Sequence, residues 1–133
     1  MASAISSGRR GIMDRFDESE VRRILRERGV AEHVVRSGAS GLVAAWRGFV
    51  ERVEIGYALG IEEYRNDLDI RTLIEIAGLA AAVEREDARL RKMLTRTDVE
   101  TWSSDVSGAF WVKGFPVNAA GQLLTDLRGL SFL

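Results

Sequence analysis

Residues 41–82 carry two apolar stripes of helical period in tandem, and a chain built this way has to bury them against each other. In the first, Leu42, Trp46, Phe49, Val50, Val53 and Tyr57 recur at helical spacing, while Arg47, Glu51, Arg52 and Glu54 fall on the opposite, solvated side. In the second, Ile70, Leu73, Ile74, Ala77 and Ala80 repeat the pattern. The period continues through Val83, Leu90 and Leu94, which predicts a helix over residues 70–94 with a break near Gly78 or Asp87. Charges around Leu90 alternate, and Asp87 with Arg91 is spaced for an i,i+4 ion pair.

Upstream, Asp17 with Glu20 three residues on is a capping-box pattern, and Phe16 with Val21 is spaced for a hydrophobic staple. Val21, Ile24 and Leu25 supply a buried edge and Gly29 a stop, so residues 17–28 are expected to form a helix lying across the central pair. Val30 to Arg36 reads as a second short helix, stopped by Ser37-Gly38-Ala39-Ser40-Gly41. Downstream, residues 99–102 and 109–112 are β-prone and flank a Ser/Gly-containing stretch, which predicts a hairpin. Pro116 keeps the second strand from being a central one. Asn118 is placed to cap a final helix over residues 119–128, with Leu123, Leu124 and Leu127 buried and Gly129 ending it. The expected fold is mainly α, a small α+β arrangement: an antiparallel helical bundle with a short C-terminal β-hairpin and a final helix. With 133 residues, 46% hydrophobic and 29% charged, one domain over residues 13–133 is expected after a flexible leader at 1–12.

Charge and composition narrow the function classes. The formal net charge is −1, so no global basic field gathers nucleic acid. Arg22, Arg23, Arg26, Arg28 and Arg36, beside a helix-glycine-helix pattern, are answered by Asp17, Glu18, Glu20, Glu27 and Glu32, leaving no basic recognition face. The chain has no cysteine, which removes thiolate catalysis and Cys-ligated zinc and fits a cytoplasmic protein. No apolar run approaches membrane-spanning length, and no secretory signal is expected. His33, the only histidine, cannot build a multi-histidine metal site and reads as a surface residue. No cofactor motif is found: Gly38-Ala39-Ser40-Gly41 precedes a helix but lacks the lysine of a phosphate loop.

The remaining candidate is the run from Glu62 to Asp69, which reads as an acidic, Asn-containing connection between the two central helices. Residues 41–79 hold four arginines against seven acids, a balance of −3. Two structural readings compete there. Asp67 or Asp69 caps the following helix, or Glu62, Glu63, Asp67 and Asp69 project together toward a basic partner. A metal-assisted hydrolase built on Glu63, Asp67 and Asp69 is the alternative, because hard cations take carboxylate ligands. The spacing is not that of an EF-hand. Among the tryptophans, Trp46 is assigned to the core, while Trp102 and Trp111 are undecided between core and binding platform. Residues 130–133 form an apolar tail that, with the alanine-rich residues 77–83, predicts packing of a second copy as a homodimer.

Three short elements also carry a resemblance. Trp46-Arg47-Gly48-Phe49, Glu54-Ile55-Gly56-Tyr57 and Asn66-Asp67-Leu68-Asp69-Ile70-Arg71 are similar to the W-x-x-F, E-x-G-Y and N-D-L-D-x-R elements of a family of small uncharacterised bacterial proteins. The resemblance implies a bacterial, one-domain, cytosolic protein and no particular activity. Size and charge lead to the expectation of a small interaction module, immunity-like or regulatory, that meets a basic partner through its acidic turn.

Overall fold

The computed structural model describes residues 17–102 and 105–130. Helix α1 spans Glu18–Glu27, and the Asp17 carboxylate caps it by accepting from the Ser19 and Glu20 N–H groups at 2.9 and 3.3 Å. Glu20 does not reach back to complete the box; its carboxylate is held by Arg23. The proposed staple residue Phe16 lies outside the described residues. Val21 and Leu25 are buried against the next helix.

Helix α2, Glu32–Ile55, joins the predicted short helix to the first apolar stripe. The Ser/Gly stretch expected to be a loop is a break of one residue, Gly38, at φ 62° and ψ −155°. Only glycine takes that conformation without strain, and a Cβ there would also meet Glu18 Oε1 at 2.3 Å. Side chains of α1 satisfy the backbone groups freed by the break. Glu18 accepts from Ala39 N–H at 2.9 Å, and Arg22 donates to the Val35 and Arg36 carbonyls at 3.3 and 3.1 Å. Leu42, Trp46, Phe49, Val50 and Val53 are all buried, as the stripe requires. Tyr57 is buried too, just beyond the end of the helix.

The expected acidic connection is corrected. Residues 62–69 belong to helix α3, Ile61–Ile76, and the true connection is only 56–60. Neither Asp67 nor Asp69 is a cap: Gly60 stands at the N-cap, and Ile61 N–H is satisfied by Asp126 Oδ2 at 3.0 Å. Glu62 and Glu63 fill the first turn, where carboxylates meet the positive end of the helix dipole. The helix predicted over 70–94 is divided near Gly78, followed by a 3-10 turn, Ala80–Val83, and helix α4, Glu84–Met93. Leu79, Ala82 and Val83 are buried in the protein's own core, so much of the 77–83 segment is not an open face for a second copy.

The hairpin is present, with its strands displaced outward from the predicted runs. Strand β1, Leu94–Glu100, pairs antiparallel with β2, Lys113–Pro116, in the register Leu94 to Pro116, Thr95 to Phe115 and Glu100 to Lys113. The irregularity between Thr95 and Glu100 brings strand backbone against Gly114, at φ 72°, where a Cβ would lie 1.8 Å from the Thr95 carbonyl oxygen. Residues 110–112, expected as strand, form a 3-10 turn that buries Trp111 and Val112. Helix α5, Gly121–Gly129, closes the described chain with Leu123 and Leu127 buried. Asn118 is not its cap; its amide donates to the Glu54 carbonyl at 3.1 Å. Leu130 is exposed, and the rest of the apolar tail lies outside the described residues.

The fold is therefore mainly helical, with a two-stranded antiparallel hairpin and a final helix. Helix α2 packs on α1, α3 and α4, and α5 packs on α3. Through the centre runs a chain of aromatic contacts: Trp46 to Phe49 at 4.9 Å, Phe49 to Tyr64 at 5.5 Å and Tyr64 to Trp102 at 5.8 Å between centroids. Among the described residues, no helix is long and apolar enough to cross a membrane.

Candidate functional site

Helix α3 has one face turned into the protein and one turned onto a cleft, and its polar residues divide accordingly. On the inner face Arg71 is 4% exposed. It donates to both Asp87 oxygens, Nε to Oδ1 at 3.1 Å and Nη2 to Oδ2 at 2.8 Å, and Nη1 donates to Glu75 at 3.0 Å. Its guanidinium lies over the Trp111 ring, 4.4 Å from the centroid. Asp87 Oδ1 also accepts from the Trp46 indole at 2.9 Å, so one carboxylate links α2, α3 and α4. The i,i+4 pair expected between Asp87 and Arg91 is replaced by this cross-helix pairing, and Arg91 lies over Phe110 at 4.2 Å. Trp111 Nε1 donates to Thr72 Oγ1 at 3.1 Å, which fixes the turn at Phe110–Val112 against α3.

The four predicted acids are divided between two places in the structure. Asp67 is turned toward the end of α2, where it accepts from the Tyr57 hydroxyl at 2.7 Å and pairs with Arg52 at 3.2 Å. Burial and this bond to Asp67 push the Tyr57 phenol far above its ordinary range. Glu63 folds back toward Gly60 at the start of α3. Glu62 and Asp69 remain, seven residues apart, and both line the cleft. Among the described residues no three His, Cys, Asp or Glu side chains are grouped to hold a metal ion. The Glu63, Asp67 and Asp69 set of the hydrolase alternative is thus not assembled there. His33 is exposed at the start of α2.

The cleft lies between α3 and the two residues Trp102 and Val112 and has a volume of about 210 Å³. Glu62, Arg65, Asn66, Asp69 and Thr72 form its α3 side, a stripe of helical spacing. Leu68, Val112 and Trp102 supply its apolar surfaces. The side chains of Asn66, Glu62 and Asp69 make no hydrogen bond or close ion pair among the described residues. Arg65 stands over Trp102, 6.0 Å from the ring centroid, and pairs with neither acid. Partial burial pushes the Asp69 carboxyl above its ordinary value; Arg65 draws it back, and Asp105, held by Arg28 at 3.0 Å, raises it further. Thr72 is not a residue the sequence singles out, and nothing in the sequence links Trp102 to Glu62 until the fold brings Trp102 and Val112 onto α3.

The raised Asp69 value has a stability consequence. The native state holds this proton more tightly than the unfolded chain does, so stability falls as pH rises from the ordinary carboxylate value through the raised one, and the cost persists at neutral pH. Asp69→Asn is expected to melt above the parent at pH 7 and to lose that advantage near pH 3. Thermal unfolding at the two pH values measures this; a variant that melts below the parent at pH 7 would show Asp69 to be an internal structural partner.

No family model, curated protein or solved structure matches this chain. The likeness in Trp46–Phe49, Glu54–Tyr57 and Asn66–Arg71 therefore rests on those short elements alone.

Proposed function

We propose that the chain is a small cytoplasmic protein-interaction module, immunity-like or regulatory, that docks a basic partner surface on the cleft face of α3. One observation supports this above the others. In a helix whose Asp67 and Arg71 are committed to internal bonds, the Glu62 and Asp69 side chains line one cleft and make no hydrogen bond or close ion pair among the described residues. Carboxylates placed this way speed encounter with a cationic surface and hold it in a salt-sensitive manner. Of the four acids read from the sequence, Glu62 and Asp69 make the contact, and Glu63 and Asp67 support the helix that presents them.

Capture from native lysate compares the parent with Glu62→Gln/Asp69→Asn and with Glu63→Gln. A basic partner is expected on the parent and on Glu63→Gln, lost from the double variant and eluted by raised salt. Equal capture by the folded double variant at every salt concentration would sink the proposal.

A further inference from the structure

We infer that the chain pairs with a second copy of itself by exchanging apolar segments: residues 130–133 of each copy dock on a patch formed by Ile55, Leu59 and Val117 of the other. Among the described residues four large hydrophobic side chains are exposed, Ile55 at 86%, Leu59 at 50%, Val117 at 60% and Leu130 at 56%. The first three stand on two segments that lie side by side. The Asn118 side-chain amide donates to the Glu54 carbonyl at 3.1 Å, Ala120 N–H to the Tyr57 carbonyl at 2.9 Å and Gln122 N–H to the Ala58 carbonyl at 2.9 Å. Gly121, at φ 47°, comes so close to Ala58 that a Cβ on it would lie 2.9 Å from the Ala58 carbonyl oxygen. The two segments therefore run in parallel, with Ile55 and Val117 near the start of the seam and Leu59 at its far end. A single exposed apolar residue is ordinary on a protein surface, whereas three gathered on one seam mark a contact. None of the three lines the α3 cleft.

Leu130, the last described residue, leads into Ser131-Phe132-Leu133, and its place in the fold decides which copy these residues serve. Helix α5 starts at Gly121 against Ala58 and is 9 residues long, so it carries Leu130 about 13 Å from its own start. On the way Asp126 accepts from Ile61 N–H at 3.0 Å, so α5 leads off the seam along the start of α3. Residues 131–133 extend about 10 Å at most. Folded back along α5 they end short of Gly121, and Ile55 and Val117, on the seam before that glycine, stay out of reach. In a second copy no such limit applies. Each copy offers one apolar segment and one patch, so a two-fold pair fills both patches and closes on itself instead of propagating.

Sedimentation of the full chain over a range of concentrations tests this. The parent should run at twice the chain mass, and raised salt should leave the pair intact because no charge holds it. Ile55→Asp/Val117→Asp changes only exposed positions and should keep the parent's fold while weakening association by about tenfold or more, the factor for one buried aliphatic anchor. Removal of residues 130–133 should weaken it as much. Mixed together, the two variants should associate more tightly than either does alone, since one keeps the apolar segment and the other keeps the patch. A monomeric parent at every concentration, an unchanged mass for either variant, or no gain on mixing would each overturn the exchange. So would a lower melting temperature on removing residues 130–133 from the monomeric Ile55→Asp/Val117→Asp variant, because the segment would then be packing on its own copy.

Discussion

Replacing Asp87 with alanine is expected to destabilise the protein by about 3–5 kcal/mol, the range for breaking a buried ion pair from one side. Arg71 is 4% exposed and would keep its charge in the interior, with Glu75 the one acid among the described residues still accepting from it. The Trp46 indole would lose its acceptor at the same time. Urea unfolding measures the loss. A change below about 1 kcal/mol, the range of exposed pairs, would mean that water reaches Arg71 and that the three helices are not joined through this carboxylate. A companion variant separates charge from shape: Arg71→Met/Asp87→Leu removes both partners, and it should recover much of the loss because no unpaired charge remains buried.

Trp46→Ala is expected to cost on the order of 3–5 kcal/mol, as large-to-small changes at fully buried aromatics do. Trp46 is 0% exposed, stacks on Phe49 at 4.9 Å and begins the aromatic chain that reaches Trp102. Its indole shares Asp87 with Arg71, so the two losses are coupled. The double variant Trp46→Ala/Asp87→Ala should be less destabilised than the sum of the singles, because the shared hydrogen bond is counted once. If Trp46→Ala melts with the parent, the central apolar stripe does not face the core.

The sequence made the helices around residues 17–28 and 41–55 legible because periodicity and the Asp17 cap are local signals. The burial of Trp46 followed from the same periodicity. What failed was the reading of residues 62–69 from their composition. Several acids with an asparagine resemble a turn, yet carboxylates in a first helical turn are favourable, and the real turn lies in the short stretch from Gly56 to Gly60. The hairpin was found but misplaced, because Trp102 and Trp111 look like strand residues and instead pack inward from irregular backbone. Of the acids read from the sequence, Glu62 and Asp69 line the cleft, while Asp67 is bonded to Tyr57 and Arg52. Which acid faces inward depends on the Tyr57 hydroxyl and Arg52, and neither contact is encoded within α3 itself.

The break at Gly38 gives α1 a part beyond covering the core. Three of its polar contacts to α2 fall within one turn of that glycine, from Glu18 to Ala39 and from Arg22 to Val35 and Arg36. The bend in the longest helix is thus keyed by side chains that precede it in the chain. Taking α1 away would strip these partners from the Ala39 N–H and from the Val35 and Arg36 carbonyls. The two halves of α2 would then be free to hinge about Gly38, so their mutual angle belongs to the α1–α2 pair rather than to either helix alone.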